Sequence, residues 1–156
     1  MSALVISLLL AAAPTPVALL PVDAAEPLHD SARPAADALA AALPPPFKPM
    51  DLDARAVREH LAAAGPACRA EHTCLCVAAG LASGQLALDL SLAPAGQGAW
   101  AVDVRVLAPC DGRLVGRRAE IIPAGIAGLR RLLDEVVPAL LRGRDLPEIP
   151  VPKESR

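Results

Sequence analysis

The stretch LALDLSLAPAGQGAWAVDVRV, residues 86–106, decides the fold of this chain. Large apolar residues stand at every second position on either side of a turn at residues 93–98, with small or polar residues between them. This alternation is typical of two antiparallel strands that bury one face. The other face carries Asp89, Asp103 and Arg105, so alanine at Asp103 or Arg105 should cost little stability. The apolar positions are Leu86, Leu88, Leu90, Leu92, Trp100, Val102, Val104 and Val106.

A third strand follows this hairpin. The turn at residues 109–112 leads into residues 113–122, where apolar and polar positions still alternate in part. Gly116 and the adjacent Arg117 and Arg118 make this strand less regular, which is typical of the edge of a sheet. We therefore predict a three-stranded antiparallel meander with the third strand on the outside.

The strongest helix signal lies at residues 126–141. Apolar residues recur there at helical spacing, and this sustained stripe is typical of a helix packed on a core. Pro138 removes a backbone donor and should bend the last turn. We expect the helix to cover the apolar face of the hairpin through Leu129, Leu133, Val136 and Leu140.

Shorter elements precede the hairpin, and each is bounded by proline, glycine or a capping residue. They are an apolar strand at residues 16–22, a helix capped by Asp30 or Ser31 that ends before Pro44, a stiff extended segment at residues 44–49, a helix capped by Asp51 or Asp53 that ends at Gly65, and a helix from Thr73 to Ser83. The fold class is therefore α/β, or α+β. One mixed sheet contains the meander and is packed by helices that include the long C-terminal one.

The length of 156 residues corresponds to one domain. Residues 1–13 are apolar and end in alanines, as in a secretory signal peptide, although a buried first element of a cytosolic protein is the alternative. The apolar run is shorter than a membrane span, so we expect no stable membrane insertion after the leader is removed. Residues 14–142 form the predicted α/β domain, and residues 143–156 form a proline-rich mobile tail.

Composition excludes several functions. The chain has one Trp, one Phe, no Tyr and a net charge of −2, so it lacks the stacking platforms and the basic surface of nucleic-acid-binding proteins. A nucleophile elbow, a Walker loop and a dinucleotide fingerprint are all missing from the sequence. We expect His29 and His60 to be solvated surface residues. The sequence therefore predicts no catalytic, cofactor or metal site.

Four cysteines, Cys68, Cys74, Cys76 and Cys110, are an even number, which favours disulfides in an exported chain. Cys74 and Cys76 stand about 200° apart around a helix and cannot bond each other there. Two pairings remain. We favour Cys68 with Cys74 and Cys76 with Cys110, because Cys74 shares an apolar face with Val77, Ala78 and Leu81 whereas Cys76 points away from it.

The alternative use of these residues is a metal or thiol redox site made of Cys68, His72, Cys74 and Cys76. Thiolate and imidazole ligands suit zinc or copper. The spacing disagrees with this use, since structural zinc sites generally use paired Cys-x-x-Cys motifs and redox enzymes use one. Disulfides remain the prediction.

Three sequence features together suggest a family. They are the first strand Val17-Ala18-Leu19-Leu20-Pro21, Cys68 with Cys74-Leu75 opening a helix, and the stretch 84–116 with its Asp111-Gly112 turn. Over residues 15–142 the chain resembles the α/β domain shared by the amino-terminal part of the translocation protein TolB, the penicillin-binding-protein activator LpoB and the curli secretion protein CsgG. The form is one that myxobacteria export. Cys76, Cys110 and a shortened turn at Ser83-Gly84 depart from the pattern.

This resemblance implies a noncatalytic cell-envelope domain, periplasmic or secreted, that binds other proteins. The candidate surface is the third strand with Arg117 and Arg118, whose unpaired backbone and charges would suit an acidic protein partner. Two alternatives remain, namely the metal or thiol protein described above and a structural subunit of a larger envelope assembly. The sequence leaves the oligomeric state open.

Overall fold

A mixed sheet lies at the centre of the computed structural model, which describes residues 13–143. Apart from Ala13 and Gly143, the predicted leader and the predicted tail lie outside the described residues. The strands are β1 Thr15–Leu19, β2 Asp23–Ala24, β3 Phe47–Pro49, β4 Leu86–Pro94, β5 Ala99–Ala108 and β6 Arg113–Pro123. The helices are α1 Ala32–Ala41, α2 Ala54–Ala64, α3 His72–Ala78 and α4 Ile126–Leu141.

The strand order is β3-β1-β4-β5-β6, and β2 also pairs with β4. The central strand β4 runs parallel to β1 and β2 and antiparallel to β5. The antiparallel pair of β5 and β6 completes the meander. The predicted α/β class, the mixed sheet, the meander and its edge strand are thereby confirmed.

Local sequence explains where the helices begin and end. The Asp53 carboxylate accepts hydrogen bonds from the backbone N–H groups of Arg55 and Ala56, both at 3.1 Å, and so caps α2. This helix ends at Gly65, whose φ of 86° favours glycine. Ser31 precedes α1 without a side-chain capping bond, because a 3-10 helix, Glu26–Ser31, leads directly into it.

Three predictions about the first half of the chain need correction. The sequence predicts a merely extended segment at residues 44–49, yet the end of this segment forms β3 and pairs in parallel with β1. The third helix ends at Ala78, before the predicted Ser83, and Gly80 follows with a φ of 61°. The predicted apolar face of α3 is also wrong, since Val77 is 62% exposed and Leu75 is fully buried instead.

The sheet is covered on both sides. We call the side that faces α1 and α4 the front face, and the side that faces α2 and α3 the back face. The predicted strand phase is correct, and the buried front-face residues include Leu88, Leu90, Leu92, Trp100, Val102, Val104, Leu129, Leu133, Val136 and Leu140, with Leu86 partly buried. A smaller cluster lies behind the sheet, made of Ala18, Leu20, Leu75, Ala79, Ala87 and Leu107.

Two features of the second half fix how α4 sits on the sheet. The helix begins and ends as predicted and contains Pro138. Gly116 lies beneath it, and a Cβ there would stand 2.8 Å from Leu140 Cδ2, so glycine permits the close approach. Among the described helices, none combines the length and the apolar character that a membrane span requires.

Candidate functional site

A buried charge cluster lies on the back face, where the sequence predicted solvated residues. The carboxylate of Asp89 is 1% exposed. Arg69 Nη1 donates a hydrogen bond to Asp89 Oδ1 at 2.5 Å, and Arg105, its cross-strand neighbour on β5, donates to Oδ2. We call these three residues the Asp89 cluster. Arg105 is therefore not solvated as the sequence predicted, since its side chain is 21% exposed and engaged by Asp89.

The Asp89 cluster attaches the 3-10 helix Pro66–Ala70 to the sheet. Arg69 belongs to this helix and also donates to the carbonyl oxygen of Pro21 at 2.5 Å, while Arg105 donates to the carbonyl oxygen of Arg69 at 3.0 Å. A buried carboxylate is tolerated when charge-assisted hydrogen bonds compensate its lost hydration. Both oxygens of Asp89 are so occupied, and the cluster acts as a structural clamp.

A half-open cavity of about 350 Å³ adjoins the clamp. Its lining is part apolar and part charged, comprising Asp23, Leu61, Ala62, Gly65, Pro66 and Arg69. The Arg69 guanidinium is already engaged by Asp89 and Pro21, and Asp23 approaches its Nε at 4.0 Å. The cavity therefore offers no uncompensated cation to an anionic ligand.

All four cysteines form disulfides, Cys68 with Cys74 and Cys76 with Cys110. The Cα atoms are 5.2 and 5.0 Å apart, within the usual range. This is the pairing that the sequence favoured. With all four cysteine sulfurs in S–S bonds, the alternative site of Cys68, His72, Cys74 and Cys76 has no thiolate to hold a metal or exchange electrons. Within residues 13–143 no cluster of acidic, histidine and cysteine side chains could hold a metal ion.

A polar contact lies beside the second disulfide, next to Cys110. Ser83 Oγ donates to Asp111 Oδ1 at 2.5 Å, and the backbone N–H of Gly84 donates to Oδ2 at 2.8 Å. These two hydrogen bonds lower the pKa of the Asp111 carboxyl. The contact joins the loop before β4 to the turn between β5 and β6.

The outer edge of β6 is the candidate interaction site. The strand is eleven residues long, and its partner among the described strands is β5 alone. Its two arginines point to opposite faces, because Arg117 lies beside Arg105 of the back face and Arg118 lies beside Val104 of the front face. They therefore do not form one basic patch.

Each arginine of the edge strand also has an acidic neighbour. Arg117 donates to both carboxylate oxygens of Asp103, at 2.9 and 2.6 Å, and these bonds raise the pKa of the Arg117 guanidinium. Arg118 Nε lies 3.5 Å from Glu120 Oε2. Because both arginines are already paired with carboxylates, they offer an acidic partner less uncompensated positive charge than the sequence indicated.

Exposed apolar side chains on β6 were missed at the sequence level. Ile121 is 69% exposed and Leu114 is 48% exposed, whereas the adjacent Ile122 is only 8% exposed. The alternation of the strand contained the signal, since Ile121 and Ile122 must face opposite sides. Ile121 shares the back face with Ala119 and Arg117, and gives the edge an apolar contact point.

No known family model matches the sequence, and no curated protein matches it. Solved structures do resemble its fold. TolB from Acinetobacter baumannii aligns with a TM-score of 0.51 at 12% identity, over 83% of this chain and 29% of TolB. Lipoprotein GNA1162 from Neisseria meningitidis aligns with a TM-score of 0.51 at 16% identity, over 85% of this chain and 100% of the lipoprotein.

At such low identity the likeness concerns the fold alone. The chain spans less than a third of the length of the TolB structure, and the whole of the smaller lipoprotein. The resemblance to a TolB-like domain is confirmed, while the resemblance to LpoB and CsgG stays a prediction. Residues 13–143 therefore adopt an α/β fold that is similar to those of TolB and lipoprotein GNA1162.

Proposed function

We propose that this chain is an exported, noncatalytic domain of the cell envelope that binds a protein partner along the outer edge of β6. One observation carries the proposal, namely an eleven-residue strand with β5 as its partner on one side and Ile121 exposed beside the open edge. A strand of this kind offers backbone donors and acceptors that an added strand can use.

The cysteines support an envelope location, periplasmic or secreted. Disulfides persist in oxidising compartments, and all four cysteines are used in two of them. The fold also supports an envelope location, because one structure of similar fold is named a lipoprotein.

The state of the reactive groups supports a noncatalytic role. The cysteines are disulfide-bonded, Asp89 is engaged at both oxygens, and His29 and His60 are exposed at the surface. A catalytic acid, base or nucleophile needs a site that holds a substrate beside it. The cavity next to Arg69 offers no such group, because the Arg69 guanidinium is engaged by Asp89 and Pro21 and approached by Asp23.

The edge of β6 is a better docking site than the opposite edge of the sheet. That edge is β3, which has three residues and therefore offers a short ladder. On β6, Ile121 supplies apolar area on the back face, and the proposed polar contacts are Arg117 on the same face and Arg118 on the front face. The aliphatic part of an arginine can cover a partner's apolar side chain while its charge stays paired.

Photocrosslinking in the native cell tests this proposal. A photoreactive residue replaces Ala119, and adducts are collected from the envelope fraction. We expect one defined adduct that is lost with Ile121→Lys and retained with Val77→Lys, the matched change of another exposed apolar residue. A probe at the exposed Asp134 of α4 should give none. Equal adducts at positions 119 and 134, or no effect of Ile121→Lys, would contradict the proposal.

The same sample tests export. The intact mass should correspond to a chain that begins near Pro14, and alkylation without reduction should leave it unchanged. After reduction, alkylation should add four groups, one for each cysteine. A chain that keeps residues 1–13 and has four free thiols in the native cell would remove the envelope assignment.

A further inference from the structure

We infer that the edge of β6 pairs with the same edge of a second copy of this chain, antiparallel about a two-fold axis at Ala119. This inference rests on the proposed function, because both assign binding to the outer edge of β6. It goes further in naming the partner and the register. The alternation of the strand and the positions of its charges carry it.

Backbone geometry restricts the possible registers. Along β6, the N–H and C=O groups of alternate residues point towards β5, and those of the others point outwards. Two copies can form a regular antiparallel ladder only when, in each facing pair of residues, the backbone N–H and C=O groups of both residues point towards the other copy or those of both point towards their own β5. In a symmetric antiparallel pair the two-fold axis must therefore pass through a residue that faces itself.

Charge then selects among the central residues. An axis at Arg117, Arg118 or Glu120 places that charged side chain opposite its own copy, and like charges directly opposite destabilise a strand pair. An axis at Ala119 places Arg118 opposite Glu120 of the second copy, twice, and a small residue at the centre. An axis nearer either end of β6 shortens the ladder and removes these two ion pairs.

The front face of the pair would gain charge contacts that a single chain lacks. Arg118 and Glu120 are 28% and 40% exposed, and their separation of 3.5 Å within one strand forms an ion pair. The Oε2 atom of Glu120 is already buried in the single chain without a hydrogen-bond partner among the described residues, so a second copy would contact the rest of this side chain, which is 40% exposed. Across the axis, each Glu120 carboxylate meets the Arg118 of the second copy and keeps its own Arg118 nearby.

The back face of the pair would cover the exposed isoleucine. The register that centres on Ala119 places Arg117 opposite Ile121 of the second copy. The guanidinium of Arg117 is held by Asp103 of β5, which keeps the side chain and its aliphatic stem on the back face, 55% exposed. Ile121, 69% exposed in one chain, would pack on this stem. The two sheets would join into one continuous sheet.

Charge reversal with sedimentation velocity tests the register on the purified, oxidised domain. The parent protein should form a dimer. Arg118→Glu alone and Glu120→Arg alone each place like charges opposite one another twice, and should raise the dimer Kd about 10- to 100-fold. An equimolar mixture of these two variants should dimerise again, because each copy then faces the opposite charge at both positions. The double variant Arg118→Glu/Glu120→Arg should dimerise with itself.

Arg130→Glu, an equal change of charge at an exposed site on α4, is the control and should leave the dimer intact. A parent protein that is monomeric at every concentration overturns the inference. So does a dimer that survives both single variants, or a mixture that does not associate. A monomeric parent that still gives the Ile121-dependent adduct in cells overturns the second copy as partner but leaves the proposed function standing.

Discussion

On the front face of the sheet, leucines and valines of β4 and β5 pack against α1 and α4, whereas on the back face the same strands present Asp89 and Arg105 to a 3-10 helix. The front face has one large apolar cluster. The back face combines a small apolar cluster with the Asp89 cluster and two disulfides. One pair of strands thus supports two kinds of interior.

The difference between the faces lies in what a substitution removes. On the front face, truncation removes buried volume, and the cost follows the cavity that remains. On the back face, removal of one partner leaves an uncompensated charge in a partly buried place. Substitutions that compare the two faces therefore separate the cost of lost packing from the cost of an unpaired charge.

The largest effect is expected on the front face. Leu133 is fully buried in the large cluster, so Leu133→Ala should lower the free energy of unfolding by about 2 to 5 kcal/mol. Its exposed neighbour gives the control, and Asp134→Ala should change that free energy by less than about 0.5 kcal/mol. Urea denaturation measures both. Equal losses would mean that the packing of α4 is not as described.

A smaller loss is expected on the back face. Asp89→Ala leaves Arg69 and Arg105 facing each other and should cost about 3 kcal/mol, the lower end for a broken buried pair, because both arginines retain about a fifth of their exposure. Asp103→Ala should cost no more than about 1 kcal/mol, since its pair with Arg117 is partly exposed, at 29% and 55% for the two side chains.

An apolar replacement of the whole Asp89 cluster sharpens the comparison. Asp89→Leu combined with Arg69→Met and Arg105→Met should recover most of the lost free energy, because replacing a buried ion pair by packed apolar groups is often neutral. Thermal denaturation of the parent protein, the Asp89→Ala variant and the triple variant gives their order of stability. A triple variant as unstable as Asp89→Ala would mean that the clamp is needed for its hydrogen bonds to the backbone.

The smallest expected effect is on the stability of the protein at acid pH. The pKa of Asp111 is lowered in the folded protein, so its contribution to stability is fully present above the unfolded pKa near 4 and is lost as pH falls through the lower folded value. Asp111→Asn should therefore reduce the loss of stability between about pH 4 and pH 2. Melting temperatures across this range, with Asp51→Asn as control, would show it. An unchanged acid profile contradicts the contact with Ser83.

The sequence was sufficient wherever a pattern is local. The alternation of residues 86–106 predicted the buried front face, and the helical spacing of residues 126–141 predicted α4 with both its ends. The even number of cysteines and the angle between Cys74 and Cys76 on one helix left two pairings, and the favoured one is observed although the apolar face used to choose it was wrong.

What the sequence did not predict depends on residues far apart in the chain. Asp89 alternates like a solvated residue, and its burial depends on Arg69, twenty positions earlier, which no local pattern links to it. The strand β3 was missed because three residues have no measurable period, and it forms by pairing with β1. The exposure of Ile121 could have been predicted from the alternation of β6, but the irregularity of this strand obscured which residues face the core.

The central position of β4 in the sheet also sets the order in which the strands can pair during synthesis. β1 is made early, but Val17 finds its central partner only at Leu86, and a two-stranded contact with the short β3 is at best marginally stable. At roughly 5 to 20 residues per second of synthesis, β1 waits about 3 to 14 seconds for β4. During that time the first half of the chain has an incomplete sheet, in which the side of β1 that β4 later pairs with is still open.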